Sequence, residues 1–132
     1  MKLILMIENA RDPDLLEGLR EIRAIRLTGD QLVLLDRATN KVAEEHSRYH
    51  RLRNEWLAKH GDHDGDRDFI PGGDPRLADL RKFEAELCGE KFEVRIVRKI
   101  QIPAHCCMTT NQFAALRGAG FVEEPPAEEE KE

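Results

Sequence analysis

Asp62, Asp64, Asp66 and Asp68 alternate around Gly65, and a flexible run of carboxylate oxygens is what a hard cation such as calcium takes as ligands. The spacing lacks the rest of such a loop. Counting from Asp62, the sixth position is Arg67, where the sharp turn needs glycine, and the twelfth is Gly73, where a bidentate glutamate should close the site. The run therefore reads as a solvated turn whose aspartates bond nearby backbone. His105-Cys106-Cys107 offers soft ligands, and His60 and His63 offer imidazoles for a tetrahedral zinc site. Adjacent cysteines cannot easily point at one metal, and no Cys-x-x-Cys occurs, so the better reading is a loop carrying two small thiols. No metal or cofactor is expected.

Covalent chemistry fares no better. A cysteine nucleophile needs a base at hydrogen-bond distance and a depressed pKa, and His105 as a sequence neighbour rarely has that geometry. Ser47 is the only serine and has no glycine-rich elbow around it. Gly72-Gly73 and Gly118-Ala119-Gly120 complete neither the phosphate-loop nor the dinucleotide spacing. His46, Arg48, His50, Arg51 and Arg53, with Tyr49 among them, form the one basic cluster that nucleic acid would favour. They spread around a helix and are flanked by Glu44, Glu45 and Glu55, which predicts a salt-bridged face. No catalytic residue is assigned.

The elements that must position these groups are dominated by one helical signal over residues 30–60. Leu35, Ala38, Val42, Tyr49, Leu52 and Trp56 recur at three- and four-residue spacing, broken by Glu45 where the pattern asks for an apolar residue. Such a helix runs roughly 45 Å, against a diameter of roughly 36 Å for a compact chain of this length. It needs covering along one side. Glu44 with Arg48, and Glu55 with Lys59, are favourably oriented pairs four residues apart and mark the solvent side.

Asp12-Pro13 predicts an N-cap and first helical position, with Leu15, Leu16, Leu19, Ile22 and Ile25 on one face of a helix over 13–25. Thr28-Gly29-Asp30 separates it from the long helix, which should end near Gly61. Residues 61–74 read as a polar loop. Asp74-Pro75 then starts a helix with Leu77, Leu80, Phe83 and Leu87 on one side, forming an antiparallel hairpin with the long helix. At about 14 residues, roughly 21 Å, it covers the Tyr49 to Trp56 end of the stripe but not the Leu35 to Val42 end. The 13–25 helix or a second copy must cover the remainder, and a two-fold dimer is expected on that ground.

Residues 91–102 alternate as a half-buried strand, with Phe92, Val94, Ile96, Ile100 and Ile102 inward, and Pro103 stops it. A lone strand is unstable, so its partner is Leu3 to Ile7, the 67–71 segment or another subunit. Lys2 to Glu8 is too short to decide between strand and helical turn. Thr109 or Thr110 caps a last short helix holding Phe113, Ala114 and Leu116, closed by Gly118 or Gly120. The fold class expected is α+β, a long antiparallel helical hairpin with an additional N-terminal helix and a small β element.

With 132 residues, one domain over 1–122 is the default. The composition, 36% charged and 5% aromatic, suits helices with wet outer faces rather than a large aromatic pocket. The net charge of −5 is carried by residues 123–132, six glutamates and one lysine, so the body is formally neutral and has no global field to attract nucleic acid or anionic lipid. That tail cannot bury enough apolar surface to order itself and is expected to be disordered. Met1 to Ile7 is too short for a signal sequence, no apolar run is long enough to span a bilayer, and Cys88, Cys106 and Cys107 are an odd number without framework spacing. A cytoplasmic setting with reduced thiols follows, with no membrane partner.

The order of features is a long helix rich in Arg and Lys, Leu57-Ala58-Lys59-His60-Gly61, an acidic glycine-containing loop, Phe83-Glu84-Ala85-Glu86-Leu87, an alternating strand, and a small helix ending in Phe121-Val122-Glu123-Glu124. Over residues 28–124 it resembles a family of small proteins of unknown function in tailed phages and prophages. The resemblance implies a phage-associated origin, in the host cytoplasm or with the virion, and brings no catalytic motif. The leading expectation is a phage-type structural or assembly protein acting by protein contact, with Leu35, Val42, Tyr49, Leu52 and Trp56 as packing and interaction residues. A phage inhibitor binding a host defence or regulatory protein is the alternative, and a metal-dependent enzyme using the aspartate loop a third reading. The partner is a virion component or host protein, with self-association expected and nucleic acid not.

Overall fold

The computed structural model describes residues 1–103 and 108–123, and within them the chain is α+β. Lys2–Met6 is strand β1, and the same apolar run turns at once into a single helical turn, α1, at Ile7–Ala10. The segment whose type its length left open is thus both strand and helix. Helix α2 spans Pro13–Ile22, started by the Asp12 carboxylate accepting from the Asp14 N–H at 2.9 Å. It closes three residues before the periodicity does, because Ala24 and Ile25 bond back three residues, to Glu21 and Ile22, and tighten the last turn.

The long helix α3 covers Gly29–His60, about 48 Å at 1.5 Å per residue. Gln31 Oε1 accepts from the Thr28 N–H at 3.2 Å at its start, half of a capping box. At its end stands Gly61, where a β-carbon would lie 2.8 Å from the carbonyl oxygens of Leu57 and Phe69. That close approach is made by a hairpin the sequence reading missed. The expected polar loop contains strands β2, Asp62–Asp64, and β3, Arg67–Phe69, paired antiparallel through a Gly65-Asp66 turn. Alternating aspartates give no hydrophobic period, so nothing in the side chains marked it.

Helix α4, Arg76–Cys88, returns antiparallel to α3, as the ties from Arg76 to His60 and from Glu84 to Arg53 show. Strand β4, Lys91–Arg95, pairs antiparallel with β1, with Leu3 opposite Val94 and Leu5 opposite Phe92. Of the partners open to the 91–102 segment, the N-terminal strand is the one used. The strand is shorter than its alternation: Ile96 still exchanges backbone bonds with Met1 in both directions, and there the partner strand runs out. Ile100 makes only an isolated parallel bridge to Val122. Helix α5, Thr110–Ala119, is capped reciprocally by Thr109 and Gln112 at 3.1 Å each way and ends at Gly120.

The core falls into two clusters. The first joins Leu3, Leu5 and Val94 of the ribbon with Leu15, Leu19 and Ile22 of α2, Leu35, Ala38 and Val42 of α3, and Leu116 and Phe121. The second gathers Ile7, Tyr49, Leu87 and Cys88, with Leu52 and Phe83 against them. Helix α4 therefore covers one end of the stripe, and α2, the ribbon and α5 cover the other, within one chain. Of the two covers expected for the Leu35 to Val42 end, the N-terminal helix or a second copy, the N-terminal helix is in place. Helices α2 and α5 come close because Gly18 faces Leu116, where a β-carbon would meet Leu116 Cδ1 at 2.9 Å. None of the described helices is long and apolar enough to cross a membrane.

Candidate functional site

Among the residues singled out for interaction, Leu35, Val42 and Tyr49 are buried in the chain's own core. They present no surface to a partner, because the stripe is spent on α2, α4 and the ribbon. Leu52 is half-buried against the second cluster, and Trp56, also half-buried, stacks on Phe83 at 6.0 Å between ring centres. These residues build the fold.

The polar groups of this region join α1, α3 and α4. Arg53 Nε donates to Glu84 Oε2 at 2.7 Å, the Tyr49 hydroxyl donates to the same oxygen at 3.3 Å, and Arg11 donates to the Tyr49 oxygen at 3.4 Å. Beside them opens a cleft of about 410 Å³ lined by Met6, Glu8, Arg11, Arg81, Glu84 and Cys88. Burial pushes both the Tyr49 phenol and the Cys88 thiol up from their ordinary values. Both therefore hold their protons near neutrality, which suits hydrogen bonding rather than nucleophilic attack.

Two of the four aspartates of the run, Asp62 and Asp68, are likewise engaged in structure. Arg76 grips both oxygens of Asp74 at 3.1 and 2.9 Å, reaches Asp62 at 3.0 Å, and donates to the His60 carbonyl at 2.8 Å. One guanidinium thereby pins the end of α3, the start of β2 and the start of α4, and its bond to Asp74 leads the causes that raise its pKa. Asp68 pairs with His63, while His60 packs on Trp56 at 4.7 Å between ring centres. Among the described residues, no group of three or more His, Cys, Asp or Glu side chains is arranged to hold a metal ion. His105, Cys106 and Cys107, and the tail from Glu124, lie outside the described residues.

The basic cluster forms the expected salt-bridged face with different pairs. Arg48 bridges Glu45 at 3.5 Å and Glu90 at 3.2 Å, Lys41 bridges Glu45 at 3.1 Å, and His46 Nδ1 donates to the Ala10 carbonyl at 2.8 Å. The anticipated Glu44 to Arg48 and Glu55 to Lys59 bridges are not formed. Glu45, the acid in the apolar stripe, is buried and draws the cations on either side toward itself.

A surface the stripe analysis missed lies at the start of α3. Leu32 and Val33 are 41% and 51% exposed, above a groove of about 670 Å³ shared with Arg20, Arg23 and Ala24 at the end of α2 and with Asp36 and Arg37. The signal was present: Leu32 to Leu35 are four consecutive apolar residues, and at about 100° per residue a helix cannot turn them all to one core. A second apolar group, Ile4, is 58% exposed on the outer face of the ribbon.

Comparison of the chain with known protein families, curated proteins and solved structures finds no match.

Proposed function

We propose that this chain acts by protein–protein contact, as a structural or assembly component of the tailed-phage and prophage kind. The observation that carries the reading is the adjacent exposed pair Leu32 and Val33 at the start of a 32-residue helix. A single exposed leucine is ordinary, whereas neighbouring apolar residues rimmed by charge suit a contact surface. The residues with chemical potential support the same reading. Arg76, Glu84, Tyr49 and the paired aspartates act as struts between elements, and the Cys88 thiol is buried and protonated. The phage origin rests on the resemblance of residues 28–124.

The test is affinity capture from phage-infected or prophage-bearing cells with the wild-type chain and a Leu32→Asp/Val33→Asp variant, followed by mass spectrometry. A virion component captured by the wild type and lost in the variant is the expected result. Capture of one host defence complex in its place would move the reading to an inhibitor. Equal capture by both chains would remove this surface from it.

A further inference from the structure

Antiparallel strands exchange both backbone bonds only at every second residue pair. Met1 and Ile96 exchange theirs at 3.0 and 2.8 Å, so along the register the exchanging pairs are Leu3 with Val94 and Leu5 with Phe92. The N–H and C=O groups of Lys91, Glu93 and Arg95 therefore point away from β1. Among the described residues none of these groups has a backbone partner. The opposite edge of the ribbon is partly closed, because the Met6 N–H donates to Asn9 Oδ1 at 2.9 Å. An open row of strand donors and acceptors is a template for one more strand.

A groove of about 350 Å³ opens between the Glu93 to Arg95 end of β4 and helix α3, and no residue of β1 lines it. Leu34, Ala38 and Val94 are its apolar lining, and Arg37, Lys41 and Arg95 are its cations. The one carboxylate on the lining, Glu93, is already shared by Lys2 at 3.7 Å and Arg95 at 3.3 Å. Lys41 is bridged to Glu45 at 3.1 Å, whereas Arg37 has no carboxylate partner among the described residues. The occupant that fits is extended, to meet the edge groups, and acidic, to meet the surplus cations. A second copy docked by two-fold symmetry would bring its own Arg37 and Lys41 beside these, cation against cation.

We propose that the open edge of β4 accepts an extended acidic segment of a partner protein as a third strand, bonded to the backbone of Glu93 and Arg95. Strand side chains alternate, so the apolar ones lie over Leu34 and Ala38 and the carboxylates come within reach of Arg37 and Arg95. In such strand addition the main-chain bonds give affinity and the alternate side chains give specificity. The inference extends the contact reading to a second surface that uses neither Leu32 nor Val33, so the capture experiment and the one below fail separately.

The experiment follows amide hydrogen exchange by NMR in the full chain, with and without the probe peptide acetyl-Glu-Val-Glu-Val-Glu-amide. In the free chain the Glu93 and Arg95 amides should exchange readily, while those of Phe92 and Val94 are protected by β1. Excess peptide is expected to slow Glu93 and Arg95 severalfold, and a fully N-methylated version, which keeps the side chains and loses the donors, should not. An Arg37→Gln/Arg95→Gln variant should bind the peptide roughly fivefold more weakly. No added protection would overturn the proposal, as would equal protection by acetyl-Lys-Val-Lys-Val-Lys-amide or by the N-methylated peptide. Edge amides already slow in the dilute free chain would show the edge occupied within the molecule, and slowing that grows with protein concentration would give it to a second copy; either result refutes an acidic partner strand.

Discussion

Glu45 shows how one residue can depart from a pattern without breaking it. The apolar stripe of α3 asks for a hydrophobic side chain there, and the carboxylate is tolerated because Lys41 and Arg48 meet it at 3.1 and 3.5 Å. His50, on the next turn, is the residue that should report on pH. Burial, then the neighbouring charges of His46 and Arg53, lower its pKa below the ordinary 6.5. The unfolded chain takes up this proton more readily than the folded one. Its contribution to stability is therefore complete above 6.5 and is lost as pH falls from there toward the folded-state value. Thermal melts between pH 7.5 and 5.5 should show a falling midpoint, and His50→Gln should flatten that slope. An unchanged slope in the variant would assign the dependence to other groups.

At the scale of elements, the contact between α2 and α5 is set by a missing side chain. Alanine at position 18 favours a helix over glycine by about 1 kcal/mol, yet its β-carbon would press on Leu116 at 2.9 Å and on the Gln112 carbonyl oxygen at 3.3 Å. Leu116 is fully buried and has little room to yield, and overpacking costs about 1–3 kcal/mol. Gly18→Ala should therefore lower the melting temperature by about 3–5 °C. The loss should be smaller in a Leu116→Val background, where the colliding methyl is withdrawn. A rise in melting temperature would mean that the two helices slide apart freely. The β ribbon makes the complementary point: two strands alone are marginal, and burial of Leu3, Leu5 and Val94 against the helices supports this one.

The whole molecule turns on which side of α3 faces inward. Leu35 is 1% exposed in the main core, while Leu32, three positions earlier, is 41% exposed on the groove. Leu35→Glu would bury an unpaired carboxylate at a cost of several kcal/mol, a large part of the roughly 5–15 kcal/mol that holds a domain together. Circular dichroism should show that variant largely unfolded and Leu32→Glu folded like the wild type. A folded Leu35→Glu chain would show that the stripe is not covered as described.

Local chemistry is what the sequence determined by itself. The helices starting at Pro13 and after Thr28, the apolar stripe through Leu35, Val42 and Tyr49, a threonine cap at 109 or 110 and the class α+β all follow from spacing, capping residues and period, which act within a few residues. The failure of the aspartate run to match a calcium loop was equally legible, because such a loop is a fixed spacing. Tertiary structure decided the rest. Lys2–Met6 became a strand because Lys91–Arg95 was available to pair with it, and β4 stopped where that partner ended. The β2–β3 hairpin formed without a hydrophobic signal, beside Arg76 and against the end of α3. Which apolar residues of α3 would be left to solvent depended on how much of the helix α2, α5 and the ribbon could cover, since a period gives a face but only packing gives its extent.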